Sequence, residues 1–445
     1  MSEISSYIVR KFETFLSWRS RKVNDQAFLF TLAFLTGVVS GAFAALLKVV
    51  IRHISLFWTS GMHIHGVNIP LLAIPVVGIL LTGIYQRYVI HANLTHGSRR
   101  LSADLAAGNY SLPSYLTYAP MVASSLTLGF GGSAGSEGPI AYTGAAVGSN
   151  IGKLFRVSPR MMMIMVGCGA GAGIAGIFKA PMGGALFTLE VLKMQLTTMS
   201  VMALILACVT SAMTAYVLSG YTVDLSYVQM HQFDASVAPW IVGLGIVCGL
   251  YSVYYSYIMA LMDRTYGRIR NPWIKNGLSG LVLAVLLFIF PAMYGEGYGM
   301  MGHLLNGDLH AMINCSAFSR IATDGWPIVL VAGGIVLTKC FAASASNCGG
   351  GVAGDFAPTL FAGCILGFFF ASSVNLIFGL DLPVSGFAFM GMAGVMSGAI
   401  RAPFMALFLT VEMTNGFILF LPLLVVAAIS YGVVRLFNKP VYYKE

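Results

Sequence analysis

The chain has 445 residues, 57% of them hydrophobic and 9% charged, with a formal net charge of +9. A soluble domain carries about 25% charged residues, so this composition excludes one and implies a polytopic membrane protein. The positive balance does not point to nucleic acid, because the basic residues sit in loops and termini and do not alternate with aromatics.

In chain order, residues 1–26 are polar and basic (Arg10, Lys11, Arg19, Arg21, Lys22). They read as a cytoplasmic amphipathic helix, with no cleavable signal peptide. Apolar stretches then run 27–51, 69–90, 117–150, 161–192, 199–219, 237–262, 277–294, 327–345, 357–380, 384–413 and 416–437. Several are too long for one span and are interrupted by Gly and Pro. Tilted, broken and re-entrant helices are therefore expected. The 51 glycines suit close helix packing in lipid. The seven cysteines are scattered without a CxxC, so no disulfide or metal framework is expected. His63 and His65 read as loop histidines.

Loop charge sets the orientation. The stretches 86–100, 153–160 and 264–275 are basic and should face the cytoplasm. The linker 221–238 has Asp224 and Asp234 but no Lys or Arg, and 295–326 carries Glu296, Asp308 and Asp324 against one Arg. Both should face outward.

An internal repeat organises the chain. Lys179-Ala-Pro-Met-Gly-Gly-Ala-Leu-Phe-Thr-Leu-Glu190 matches Arg401-Ala-Pro-Phe-Met-Ala-Leu-Phe-Leu-Thr-Val-Glu412. Gly135-Ser-Glu-Gly-Pro139 matches Gly354-Asp-Phe-Ala-Pro358 in the same order. With both termini cytoplasmic and the linker outside, each half crosses an odd number of times, so the repeats are inverted. That arrangement, with broken helices at the midplane, belongs to transporters and channels. The expected units are an N-terminal helix (1–26), a first transmembrane repeat (27–220), an external linker (221–238), a second repeat (239–437) and a cytoplasmic tail (438–445).

Glu137 is the only ionisable residue in its apolar run. A carboxylate at membrane depth marks an ion or proton path. Pro139 suits a first helical turn, so Glu137 should sit at a helix N-terminus, where the dipole attracts anions. Glu190 and Glu412 occupy matched repeat positions and read as carboxylates tying helix ends to backbone. Lys179 and Arg401 read as anchors snorkelling to the interface.

These residues resemble the CLC family of chloride channels and chloride/proton exchangers over about 27–443. Gly135-Ser136-Glu137-Gly138-Pro139 is similar to its G-[KR]-E-G-P motif, with Ser in the basic position. Gly354-Asp355-Phe356-Ala357-Pro358 is similar to its GxFxP motif, and Lys439-Pro440-Val441-Tyr442 to its C-terminal K-P-x-Y. The resemblance implies an all-α polytopic protein with the CLC fold, built as a homodimer with a separate pore in each subunit. It implies an inner-membrane protein of bacterial type without C-terminal regulatory domains, and not an enzyme. No cofactor or metal is expected; the partners are chloride or another small anion, protons, the bilayer and a second copy of the chain. Glu137 is then the gate and the external proton site. His96, Gly97, Ser136, Gly138, Asp355, Phe356, Ala357 and Tyr442 are the anion-binding candidates.

Three departures matter. Where the family has its serine loop the chain reads Thr95-His96-Gly97-Ser98-Arg99. Ungapped counting puts His96 at the serine position, and Ser98 is the rival. A histidine there would make anion binding tighter as pH falls toward roughly 6.5. Asp355 fills a usually apolar position and would repel anions unless it points away or pairs, for example with Arg99 or Arg100. Val191 stands at the inner proton-relay position, which favours channel-like or weakly coupled conduction. Obligate chloride/proton exchange is the alternative, and fluoride transport by a divergent branch is a further one. Gly131-Gly132-Ser133-Ala134-Gly135 also satisfies G-x-S-x-G, the pattern of a serine hydrolase. That rival class needs a histidine within reach of Ser133.

Overall fold

The structure is a computed structural model describing residues 21–61, 68–194, 197–220, 235–316 and 318–437, with 11, 14, 19 and 225. Most of the N-terminal helix and the external linker, the tail with Tyr442, and the pair His63 and His65 lie outside the described residues.

Among the described residues the chain is all helical, and nine helical segments are long and apolar enough to cross a membrane. The first half runs α1 (Asp25–Thr59), α2 (Ile74–Ile84), α3 (Gly97–Ala106), α4 (Ala119–Gly129), α5 (Glu137–Leu154), α6 (Pro159–Phe178), α7 (Pro181–Leu186) and α8 (Thr198–Ser219). The second runs α9 (Ala238–Gly267), α10 (Pro272–Ile289), α11 (Tyr298–Leu305), α12 (His310–Ile313), α13 (Trp326–Cys348), α14 (Phe356–Phe378), α15 (Val384–Ile400), α16 (Pro403–Thr414) and α17 (Phe420–Leu436). At 1.5 Å per residue, α1 is about 52 Å long, well beyond a hydrocarbon core of about 30 Å, so it must lie tilted.

The long apolar runs break where local chemistry dictates. Lys179 caps α6 at φ 54°, and Arg401 caps α15 at φ 62°. Each is followed by an Ala held extended before Pro (Ala180 φ −124°, Ala402 φ −129°), and the Pro then opens α7 or α16. A residue before Pro is pushed out of the α region, which fixes the break. Lys179 does not snorkel. It is 5% exposed, donates from Nζ to the Gly220 carbonyl (2.9 Å) and sits 5.1 Å over the Tyr216 ring. It ties the end of α6 to the end of α8.

Glycine lets matching helix pairs touch backbone to backbone in both halves. A Cβ on Gly144 of α5 would lie 2.1 Å from the Gly169 carbonyl of α6, and one on Gly363 of α14 would lie 2.2 Å from the Gly391 carbonyl of α15. The inverted repeats meet directly at Gly135 and Gly354. Each donates to the other's carbonyl, at 2.9 and 2.6 Å, forming an isolated antiparallel bridge. The N-termini of α5 and α14 thus converge on one point inside the protein.

Candidate functional site

Glu137 opens α5 and is 1% exposed. Its carboxylate folds back between the bridging glycines. A Cβ on Gly135 would fall 1.9 Å from its Oε2, and one on Gly354 would fall 3.1 Å from its carboxyl carbon. A Cβ on Gly354 would also meet the Gly138 backbone nitrogen at 2.7 Å, so glycine there is a steric requirement. Oε1 accepts from the Ala357 amide at 2.8 Å, in the first turn of α14. Oε2 is buried and has no hydrogen-bond partner among the described residues. A carboxylate thus lies at the positive end of a 23-residue helix. One of its oxygens is held by an amide, and the other stays unsatisfied in an apolar interior, where such a group is costly.

Phe356, Asp355, Gly138 and Gly97 lie close by. Phe356 is buried, with its ring edge-on to Phe187 at 5.7 Å. Asp355 precedes α14 but does not cap it. Its carboxylate accepts from Asn347 Nδ2, and Asn347 also donates to the Gly354 carbonyl (3.3 Å). The contact made there is with a neutral amide of α13. Gly138 faces the start of α3. A Cβ placed on it would lie 3.1 Å from Ser98 Oγ, and a Cβ on Gly97 would lie 3.1 Å from the Gly138 carbonyl. Gly97 is buried in this contact.

His96 is turned elsewhere. It is left-handed (φ 58°), and its Nε2 lies 3.4 Å from Asp263 Oδ1, while Arg99 Nη1 holds Asp263 Oδ2 at 3.3 Å. His96, Asp263 and Cys348 bring donor atoms within 4.8 Å of one another, the one such trio among the described residues.

Ser136 is the least expected. Both its N–H (3.0 Å) and its hydroxyl (2.5 Å) donate to Oε1 of Glu296, from the loop before α11. Sequence reading missed Glu296 as a site residue because its segment is polar and reads as a loop. It also missed Lys339, fully buried in α13, with Nζ donating to Ser133 Oγ at 2.7 Å. A lysine inside an apolar run is itself a signal. The Ser133 hydroxyl donates to the Met293 carbonyl (2.6 Å), so the hydrolase-like pattern packs a serine between Lys339 and backbone.

Two cavities flank the site, and their linings share no residue. One, of about 1040 Å³, is bordered by Lys48, Arg52, Lys179, Glu296 and His303. The other, of about 720 Å³, is bordered by Ser98, Arg99, Glu190, Val191, Arg401 and Arg435.

Glu190 and Glu412 form a reciprocal pair. Glu190 accepts from the Phe404 and Met405 amides (3.4 and 2.7 Å) at the start of α16, and Glu412 from the Met182 and Gly183 amides (3.1 and 2.9 Å) at the start of α7. Each carboxylate caps the other half's helix.

Comparison with known proteins adds the rest. The family model described as Voltage gated chloride channel matches residues 77–435. A Ralstonia nicotianae protein named for its likeness to the chloride channel protein ClcB is 29% identical over 386 residues, 84% of each chain. The H(+)/Cl(-) exchange transporter ClcA of Vibrio cholerae is 29% identical over 308 residues, 67% of this chain and 62% of that one. The voltage-gated ClC-type chloride channel ClcB of Salmonella typhimurium is 29% identical over 338 residues, 73% of this chain and 74% of that one. Two solved structures share the fold. A slow cyanobacterial Cl-/H+ antiporter has a TM-score of 0.79 at 20% identity, covering 95% of this chain and 97% of that one. A CLC-type fluoride/proton antiporter has a TM-score of 0.75 at 23% identity, covering 94% and 97%.

Proposed function

Since the chain belongs to the voltage-gated chloride channel family and is a multi-pass membrane transport protein, we propose that it exchanges chloride for protons through a pathway gated by Glu137. The observation that carries this reading is the Glu137 carboxylate on the Ala357 amide, with its second oxygen unsatisfied. Ionised, it occupies the position an anion would take. Protonated, it loses its attraction for the helix end and yields to chloride. The same residue then carries a proton in the opposite direction.

The relatives do not decide between exchange and the channel preference read from Val191. ClcA, an exchanger, and ClcB, a channel, match at the same identity. Val191 and Ser98 border one wide cavity. Water in that cavity can bring protons toward Glu137 without a carboxylate at position 191. Separate cavities on either side of a buried gate also favour alternating occupation over an open pore.

In this reading the Ser98 hydroxyl takes the role first given to His96, because it faces Gly138 while the histidine ring faces Asp263. Phe356 and Ala357 supply amides, and Tyr442 remains the proposed hydroxyl from the tail. Partial charges suit this task, because full positive charges would hold chloride too tightly to release it. The charge rule makes the cavity at Glu296 external and the cavity at Val191 cytoplasmic. The assembly is proposed to be a homodimer with one pathway per subunit. Exposed apolar residues on α8 and α17 (Met202, Met213, Val217, Leu421) offer a contact face.

The test is purified protein in liposomes under a chloride gradient, clamped near zero voltage, with internal pH recorded. Uphill proton movement supports exchange. Chloride flux without proton movement replaces it with a pH-gated channel. Rapid fluoride flux without chloride flux would point to the fluoride alternative.

A further inference from the structure

A second carboxylate sits on a second helix end. Glu296 Oε1 takes both donors of Ser136, which is 2% exposed and stands at the start of the 18-residue α5. Such donors bind anions in general. The arrangement repeats the one beside it, where Glu137 takes the Ala357 amide of α14. The two occupied positions belong to neighbouring residues, 136 and 137. Through Glu296, the Ser136 donors connect the start of α5 to the larger cavity.

Glu296 is built to reach this position. It lies between two left-handed glycines, Gly295 (φ 64°) and Gly297 (φ 83°), and it borders the cavity of about 1040 Å³. The charged and titratable groups around that cavity are Lys48 and Arg52 of α1, Lys179 at the end of α6, His303 of α11, and Tyr294, Tyr298 and Cys315. Glu137 and Glu296 interact electrostatically, and when both are ionised they repel.

We propose that Glu296 is an outer anion gate, a tethered carboxylate that fills the anion position at the N-terminus of α5 and leaves it for chloride when acid neutralises it or the cations of the cavity draw it away. This rests on the anion pathway proposed above and adds a residue to it. A tethered group competes at an effective concentration in the mM range. Removing its charge should therefore raise the apparent halide affinity about tenfold.

The experiment compares the wild type, Glu296→Gln, Glu137→Gln and the double variant, by calorimetric titration with sodium bromide at neutral pH and by the pH profile of chloride flux in liposomes. Glu296→Gln should bind bromide about tenfold tighter and shift the pH of half-maximal flux. The affinity gain should persist when Glu137→Gln is added. Glu296→Asp, which keeps the charge, should return both readouts toward the wild type and guards against a folding defect. Unchanged affinity and pH profile in Glu296→Gln, where Glu137→Gln alters both, would overturn the outer gate. Wild-type behaviour in Glu137→Gln would overturn the pathway instead.

Discussion

Two places in this protein use the same chemistry, a carboxylate accepting from helix N-terminal amides, and they differ in symmetry. At the seam of α7 and α16, Glu190 and Glu412 cap each other's helices, and both halves contribute alike. At the meeting of α5 and α14, Glu137 has no acidic twin, because Phe356 holds the equivalent position. Both oxygens of each seam carboxylate accept from an amide. Glu137 has one oxygen held and one unsatisfied, at the end of α14. Where the repeat keeps its symmetry the carboxylate builds structure; where it breaks symmetry the carboxylate is free to act.

The sharpest way to break this comparison is Glu137→Gln. Flux should lose its pH dependence over roughly pH 4–8, and proton movement coupled to chloride should disappear. A wild-type pH profile in liposomes would remove Glu137 from the gate. The packing that brings the two sites together comes next. Gly144→Val and Gly363→Val force a branched side chain into a facing carbonyl, at Gly169 and Gly391 respectively. Each should cost about 3 kcal/mol or more and lower the thermal midpoint in detergent, with matching effects because the positions match.

A milder effect is expected at the seam. Glu412→Ala or Glu190→Ala leaves two helix-end amides without their acceptor and should cost about 1–3 kcal/mol, read as a lower thermal midpoint. The shape of the pH profile should stay as in the wild type. A changed profile would mean that the seam shares in gating. The smallest effect separates two neighbours in one loop. Ser98→Ala should weaken halide binding by about 1 kcal/mol, roughly fivefold, while His96→Ala should leave it within about twofold. The reverse ranking, measured by bromide titration, would restore the histidine to the anion path.

The membrane class, the inverted repeats and the buried glutamate at a helix start were legible in the sequence because each rests on local pattern. Too few charges leave no soluble surface, a repeated basic-Ala-Pro motif fixes repeated breaks, and one carboxylate in an apolar run is too costly to be incidental. The family resemblance drew on the same local motifs. Matched sequence positions also suggested that Glu190 and Glu412 tie helix ends; only the fold showed that each caps the opposite half.

What the tertiary structure alone decided was direction. Counting along the loop favours His96, yet a left-handed backbone at that residue turns its ring to Asp263 and leaves Ser98 against Gly138. Asp355 reads in the sequence as a bare charge at a helix start, and Asn347 of α13 donates to its carboxylate. Lys179 looked like a surface anchor and is buried, and Glu296 looked like loop polarity and grips Ser136. In each case the residue type was visible in the chain. Its partner came from a segment far away in sequence, and only the packing of the helices determines which distant groups an ionisable side chain can reach.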